Sequence, residues 1–206
     1  MNEFPLYSLI EPSESDRILH GYGCDLVLEY FSIARHLPVT TLPVVELATG
    51  SGRMIAVLST FVPSILTGDL SLADAPRARK RVPHQFRDRV SFFQLDLERL
   101  PFRTDAIRSM ICMNTLHETE HPHACLAEMI RTIHPDGTLI IGDFNRKGFD
   151  LMQTVQQQVY HTDHHEGSIT SDEIANILHG SFNTVTVFET ELNTSYIAAN
   201  KRPRQK

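Results

Sequence analysis

Three acidic residues accompany successive apolar runs of this sequence, and their spacing indicates a site that binds an adenosine group. Glu46 lies in the first run, just before the turn at residues 48–52, and Asp69 follows the second run. An acid about 20 positions beyond such a turn can accept hydrogen bonds from both ribose hydroxyls of a nucleotide. Asp96 follows the third run, where a carboxylate can accept the adenine amino hydrogens. The three side chains are therefore predicted to face one crevice.

The turn after Glu46 narrows the choice of nucleotide. Gly50 and Gly52 permit a sharp bend and let a ligand approach bare main chain. A dinucleotide fingerprint needs a third glycine where Ile55 stands, which argues against a nicotinamide-dependent oxidoreductase. A P-loop needs Lys and then Ser or Thr after the glycine, and Arg53 breaks that pattern. A glycine-rich turn without any ligand stays open as the alternative.

Five short apolar runs, separated by helical patterns, are the elements that must position these residues. Near-continuous apolar runs of this length are typical of strands buried on both faces of a parallel sheet. The predicted strands are residues 44–48, 64–68, 90–95, 107–113 and 138–142. The predicted helices between them are residues 53–61, 72–81 and 122–133, the last of which ends at a Pro-Asp-Gly turn within residues 134–137.

The two ends of the chain have different patterns from the middle. Residues 13–37 are predicted to form leading helices, capped by Ser13 or Ser15. Further helices are predicted at residues 149–160 and 171–178, with Ser171 as N-cap, and an antiparallel pair at 183–189 and 194–199, with Val185 and Val187 facing inward.

The complete pattern predicts an α/β fold. Its core is a doubly wound, mostly parallel seven-stranded sheet with helices on both faces and a C-terminal antiparallel hairpin. We interpret residues 1–206 as one domain. Its parts are a helical cap (1–40), a cofactor-binding core (42–142), a substrate-side helical insert (143–182) and the hairpin (183–200).

Composition and charge describe an ordinary cytoplasmic domain. The net charge of -6 gives no general attraction to nucleic acid or anionic membranes. No apolar run approaches the roughly 20 residues that span a bilayer, and the first ten residues lack a secretory pattern. Cys24, Cys112 and Cys125 are odd in number and far apart, so no disulfide is expected, and Cys112 is predicted to be buried.

Over residues 42–142 the sequence resembles the class I, seven-stranded S-adenosylmethionine-dependent methyltransferases. Residues 46–52 are similar to that family's first motif, an acid followed by three glycines at alternate positions, although Ala48 replaces the first glycine. Leu116-His117 after the fourth strand and Pro135-Asp136-Gly137 before the fifth resemble the quinone-biosynthesis type. The order and spacing of these motifs carry the resemblance.

The resemblance implies a cofactor, S-adenosylmethionine, with S-adenosylhomocysteine as product. It also implies roles for particular residues: Glu46 for the methionyl ammonium, Asp69 for the ribose, and the backbone at Asn114 for further cofactor contact. The implied cofactor-binding residues are Glu46, Ala48, Gly50, Gly52, Asp69, Leu70, Asp96, Leu97 and Asn114.

Methyl transfer from a sulfonium is an in-line displacement that depends mainly on alignment and on exclusion of water. His117, just past the fourth strand, is a candidate base or acceptor-orienting group, with a half-exposed loop histidine as the alternative. The acceptor pocket is expected between the leading helices, the loop after Asn114 and the insert. Asp143 either contacts substrate or caps the next helix.

A small-molecule acceptor is favoured over RNA or protein. The basic residues at 76–81 and 201–206 are interpreted as a solvated helix face and a terminus, and residues 114–117 lack the Pro-Pro-aromatic pattern of base-amino methyltransferases. A non-catalytic binding module remains open. His161, His164 and His165 are interpreted as a polar loop, and no metal ligand is assigned.

Overall fold

A seven-stranded sheet forms the centre of the structure, a computed structural model that describes residues 6–39, 41–163 and 167–203. The strands are β1 (Val44–Leu47), β2 (Ile65–Asp69), β3 (Val90–Gln94), β4 (Ile107–Met113), β5 (Ile133–Phe144), β6 (Phe182–Glu189) and β7 (Asn193–Lys201). Their order in the sheet is β3-β2-β1-β4-β5-β7-β6. β1 to β5 run parallel, whereas β7 pairs antiparallel with both β5 and β6. The predicted doubly wound sheet with an antiparallel edge is confirmed.

Helices cover both faces of this sheet. They are α1 (Glu14–Gly21), α2 (Leu26–Ala34), α3 (Arg53–Ser59), α4 (Ala75–Arg81), α5 (Pro122–Thr132), α6 (Arg146–Tyr160) and α7 (Ser171–Ser181). Short 3-10 segments lie at Leu6–Leu9, Leu72–Asp74, His84–Arg89 and Leu116–Glu118. No helix within the described ranges has the length and apolar character needed to cross a membrane.

Alternation along the central strands builds two separate cores. Val44 of β1 packs into the core that contains α2 and α3, whereas Val45 packs into the core that contains α5 and α7. All four residues of β1 are buried. Burying one Val or Leu side chain is worth about 1.5–3 kcal/mol, so the two cores fix the sheet firmly between its helices.

The chain order reverses between β1 and β4. From β1 the chain proceeds outward through β2 to β3, and then crosses back to β4 on the other side. In open sheets of this kind a crevice opens beyond the carboxyl ends of the strands at the reversal. The turn after β1 lies at that point, as the sequence pattern requires.

The two ends of the chain are joined through one buried carboxylate. Glu29 of α2 is only 8% exposed and accepts hydrogen bonds from the Leu192 amide (3.1 Å) and the Asn193 side-chain amide (2.6 Å). The Thr190 hydroxyl donates to the same carboxylate at 2.5 Å. These bonds provide acceptors for the donors of the turn between β6 and β7, and they hold α2 against that turn.

Several local expectations need correction. The segment at residues 134–137, predicted as a turn, belongs to β5, and the register between β4 and β5 shifts there because extra residues are accommodated opposite Ile107 and Ser109. The N-cap of α7 is Thr170, not Ser171; its hydroxyl and Glu173 form a capping box. Ser13 caps α1 as predicted.

The inward orientation predicted for the hairpin valines is also wrong for Val187, which is 51% exposed. β6 is one of the two edge strands of the sheet, and only its first residue, Phe182, is fully buried. Alternation alone does not reveal that an edge strand lacks a covering layer. The division of the chain into cap, core, insert and hairpin stays a prediction.

Candidate active site

A cleft of about 710 Å³ opens at the carboxyl ends of β1, β2 and β4. The three predicted acids, Glu46, Asp69 and Asp96, all line it. The other implied cofactor residues that line the cleft are Ala48, Gly50, Leu70, Leu97 and Asn114. Gly52 and His117 are not among the lining residues. The strand register thus brings together residues that are up to 68 positions apart in sequence (114 − 46).

Glu46 is the most deeply placed of the acids. It is 3% exposed, and its carboxylate accepts a hydrogen bond from the Thr67 hydroxyl of β2, which lies 2.5 Å from the Thr49 hydroxyl. Burial raises the pKa of Glu46 to about 8; the bond from Thr67 opposes this rise, and the charge of Asp69 adds to it. The carboxyl group is therefore largely protonated at neutral pH, and a cation bound beside it would favour the ionised form.

Asp69 fixes the turn between β1 and α3. Its Oδ2 accepts the Gly50 amide at 2.8 Å, across 19 residues of chain. Gly50 (φ 47°) and Ala48 (φ 62°) both adopt the left-handed region. For Ala48 this costs about 1–2 kcal/mol, because its Cβ crowds the following carbonyl. A strained residue at a turn that lines a cleft is typical of a binding site.

Gly52 serves packing and does not line the cleft. It is the left-handed N-cap of α3 (φ 82°), and a Cβ placed on it would lie 2.6 Å from Ala78 Cα and 2.9 Å from Ala78 O in α4. The cofactor contact that the resemblance implies for Gly52 stays a prediction. Its role is to let α4 close against the turn.

Replacing Gly52 by alanine is expected to destabilise the protein by about 2 kcal/mol. The new methyl group must displace the α4 backbone, and an L-residue is strained at this φ. Urea unfolding of the variant measures the loss. The control is Gly21→Ala, because a methyl group added at Gly21 enters open space and the φ of Gly21 is not positive. Equal midpoints for the two variants would contradict the packing role.

Asn114 joins the cleft to the leading helices. It is left-handed (φ 51°), and its side-chain amide donates to the Tyr30 hydroxyl of α2 at 2.8 Å. Its Oδ1 is buried and has no hydrogen-bond partner among the described residues, so it offers an acceptor to a ligand. Tyr30 also lines the cleft, and burial, opposed by the nearby Arg53 charge, raises its pKa to about 12.

His117 is a buried member of a pair with Asp143 and is not a loop histidine at the surface. Its ring is 2% exposed, and Nδ1 lies 2.6 Å from Asp143 Oδ1, while its backbone amide donates to Oδ2 at 3.2 Å. Burial lowers the pKa of the imidazole, but Asp143 and Glu118 outweigh it and raise the pKa to about 9. Asp143 does not cap α6; that cap is Asn145, which accepts the Gly148 amide at 2.9 Å.

The basic residues after β2 fall into two groups. Arg77, Arg79 and Lys80 are exposed on α4, as the predicted solvated helix face requires, whereas Arg87 and Arg89 make internal contacts. Arg87 donates to the Val82 carbonyl at 3.1 Å, and Arg89 donates to the Ser59 carbonyl at 2.8 Å and lies over the Phe86 ring. Arg89 thereby holds the segment against α3, whereas Arg87 bonds within the segment itself.

The histidine-rich insert is described only in part. His161 ends α6 in the left-handed region, whereas His164 and His165 lie outside the described residues. Within the described ranges, no three His, Cys, Asp or Glu side chains are grouped to hold a metal ion. The three cysteines are buried free thiols.

Comparison with known proteins agrees with this geometry. Residues 45–141 match the family model described as a methyltransferase domain. The chain is 28% identical over 121 residues to a demethylmenaquinone methyltransferase of Clavibacter sepedonicus, covering 55% of this chain and 49% of that protein. The chain spans about half the length of the curated relatives it matches.

Two solved structures have the same fold. An O-methyltransferase family protein of Burkholderia thailandensis gives a TM-score of 0.63 at 21% identity, over 84% of this chain and 56% of that one. A methyltransferase of Thermotoga maritima, named as a possible histamine N-methyltransferase, gives a TM-score of 0.61 at 17% identity. The match covers 95% of this chain and 100% of that one. The fold and the cleft define a Rossmann-like methyltransferase domain. The match over residues 45–141 indicates a methyltransferase domain, and the fold is that of the class I S-adenosylmethionine-dependent methyltransferases.

Proposed function

We propose that this chain transfers the methyl group of S-adenosylmethionine to a small-molecule acceptor. The observation that carries the proposal is the cleft itself, in which acids from the ends of three neighbouring strands converge within a methyltransferase fold. Each acid matches a different part of one ligand. Three strand-end carboxylates that line one cleft support a common ligand.

The lining residues fit the cofactor in chemical type. Asp69 is assigned to the ribose hydroxyls, Asp96 and Leu97 to the adenine, and Glu46 to the methionyl ammonium. Leu70 supports the assignment because it is 68% exposed beside the cleft, and a flat adenine ring would cover this apolar surface. The buried acceptor at Asn114 Oδ1 is suited to an N–H donor of the ligand.

The residues of the chain contribute alignment and exclusion of water. S-adenosylmethionine supplies an activated methyl group when bound, so the acceptor atom needs only to be held in line behind it. Side chains from all three segments expected to form the acceptor pocket line the cleft: Ser15 and Tyr30 from the leading helices, Thr119 from the loop, and Met152 and Gln156 from α6.

We assign His117 an orienting role in preference to that of a base. With a pKa of about 9 its imidazole carries a proton at neutral pH, so it cannot accept one from an acceptor. Its bonds to Asp143 join the end of β4 to the end of β5 and place Glu118, which lines the cleft. Asp143 then helps to position Glu118 through its bonds to His117.

A small-molecule acceptor is supported by the apolar side chains that line the cleft and by the named relatives. Met113, Phe144 and Met152 supply apolar surface on the acceptor side of the cleft. Relatives named as quinone-biosynthesis C-methyltransferases favour an apolar acceptor of that general kind. Arg87 and Arg89 of the basic segment after β2 donate to main-chain carbonyls of the protein and so give little support to an RNA acceptor.

The proposal is tested by calorimetric binding of S-adenosylmethionine and S-adenosylhomocysteine, with NAD as the control ligand. We expect micromolar binding of both sulfur ligands and none of NAD, followed by methyl transfer in a screen of quinol precursors, phenols and thiols. Binding without transfer to any acceptor would favour a non-catalytic binding module. Absence of binding would contradict the cofactor assignment.

Affinity for S-adenosylmethionine is expected to rise between pH 6 and pH 8. The buried Glu46 carboxyl has a pKa of about 8, and only its ionised form attracts the ammonium of the ligand. Below that pKa, binding must release the proton of the carboxyl group, which lowers the affinity by up to a factor of about 10 per pH unit. Calorimetry in buffers of different ionisation enthalpy measures both the affinity and the proton release.

Glu46→Gln provides the control for this pH dependence. The amide keeps the shape of the side chain and an acceptor for Thr67, but it does not titrate. We expect weaker binding and a flat profile from pH 6 to pH 8. A variant that keeps the wild-type slope would show that another group releases the proton.

A further inference from the structure

A buried ionic cluster with unequal charges lies beside the cleft. Asp16 of α1 (1% exposed) pairs with Arg53 of α3 (12%) and Arg81 of α4 (6%). Arg53 Nε donates to Asp16 Oδ1 at 3.0 Å, and Arg81 donates to Oδ2. One carboxylate thus faces two guanidinium groups.

The cluster contains no second anion among the described residues. The Asp16 carboxylate is already fully engaged, because Oδ2 also accepts the amide and hydroxyl of Ser13, each at 2.7 Å. Tyr30, which neighbours Arg53, stays neutral with a pKa of about 12. Within the described ranges, no other carboxylate forms a hydrogen bond or ion pair with either arginine. One positive charge is therefore left over.

Arg81 holds its charge in a buried position beside Arg53. Burial and the neighbouring Arg53 charge lower the pKa of Arg81 to about 10, although Asp16 opposes them, and its Nε is buried without a hydrogen-bond partner among the described residues. Burying an unbalanced charge is costly unless a partner is supplied. The protein tolerates this arrangement at a place where a ligand can supply the anion.

Of the two arginines, Arg53 is the one that reaches the cleft. It lines the cleft together with Tyr30, and its guanidinium carbon lies 5.8 Å from the Tyr30 ring centroid. Its Nε bonds Asp16, and the Tyr30 hydroxyl is a second, neutral neighbour. These two contacts do not use all the N–H groups of the guanidinium, so donors remain for a carboxylate in the paired geometry that guanidinium favours. Glu46 lines the same cleft.

We infer that Arg53 binds the α-carboxylate of the methionyl end of the cofactor, while Glu46 binds its ammonium. The assignment rests on the proposed function and deepens it, because it makes the cleft selective for an intact amino-acid end. The carboxylate supplies the negative charge that the cluster of Asp16, Arg53 and Arg81 lacks. Asp16 acts as a positioning residue for Arg53.

The test compares two ligands that differ only in this carboxylate. Wild-type protein is titrated with S-adenosylhomocysteine and with its decarboxylated analogue, S-adenosyl-3-thiopropylamine. Losing charge-assisted hydrogen bonds to Arg53 is expected to weaken binding about 10- to 100-fold. Equal affinities would overturn the Arg53 assignment and leave the proposed function intact. Failure of both ligands to bind would overturn both.

Arg53→Gln then locates the effect, with Arg79→Gln as the matched control on an exposed residue of α4. We expect Arg53→Gln to bind the two ligands with nearly equal affinity and Arg79→Gln to discriminate like wild type. The variant should fold, because Asp16 and Arg81 remain as a balanced pair. Undiminished discrimination in Arg53→Gln would show that the carboxylate binds elsewhere, and would overturn the assignment.

Discussion

Replacing Asp16 by asparagine is expected to destabilise the protein by about 3–5 kcal/mol. The substitution leaves Arg53 and Arg81 buried beside each other with no carboxylate between them, and a buried charge that loses its partner costs about this much. It also weakens the capping box in which Asp16 accepts the Ser13 amide. Urea unfolding at neutral pH measures the change in unfolding free energy.

The effect has a defined pH range. Burial raises the pKa of Asp16, but the charges of Arg53 and Arg81 outweigh it and hold the pKa below the ordinary value of 3.8. A depressed pKa stabilises the folded state above the unfolded value, and this contribution is lost as the pH falls through the folded value. The difference between wild type and Asp16→Asn is therefore expected to persist down to about pH 4 and to shrink only below it.

Asp150→Asn is the matched control for Asp16→Asn. Asp150 pairs with Arg146 at 3.1 Å on the surface, where the two side chains are 59% and 78% exposed. Such pairs contribute about 0–1 kcal/mol. If both variants lost the same small amount, the cluster would not be the electrostatic link between α1, α3 and α4 that the geometry describes.

The acids of the cleft could be predicted because they depend on local pattern and on strand register. Glu46, Asp69 and Asp96 each accompany an apolar run, and parallel strands bring their carboxyl ends to one edge. Residues such as Arg53 and Tyr30 could not be predicted. Arg53 meets Asp16 across 37 positions and Tyr30 meets Asn114 across 84, and both contacts depend on where the leading helices dock.

The roles of Gly52 and His117 in the motif segments are evident only from the packing. Gly50 and Gly52 look equivalent in sequence, yet Gly50 donates to Asp69 whereas Gly52 makes room for Ala78. His117 is buried because the chain returns at Gly167, where a Cβ would lie 2.5 Å from His117 Cα. No local periodicity records that a segment 50 positions later (167 − 117) covers a residue.

Replacing Asp69 by asparagine is expected to weaken binding of S-adenosylhomocysteine about 100-fold. In the proposed complex its carboxylate accepts both ribose hydroxyls, and charge-assisted hydrogen bonds are about twice as strong as neutral ones. Asparagine keeps the shape and one acceptor oxygen but loses the charge. Calorimetry measures the change. Asp136→Asn, which alters a side chain that is 80% exposed on β5, is the charge control and should bind like wild type.

Asp69 also holds the Gly50 amide, so a weaker complex alone does not identify the ribose as its partner. The 2′-deoxy analogue of S-adenosylhomocysteine separates the two roles. If Asp69 binds the ribose, removal of the hydroxyl should lower the affinity of the wild type about tenfold, because one hydrogen bond to a charged group is lost. The affinity of Asp69→Asn should fall much less. If both proteins lose the same factor, the two changes are independent, and Asp69 then acts only by shaping the turn at Gly50.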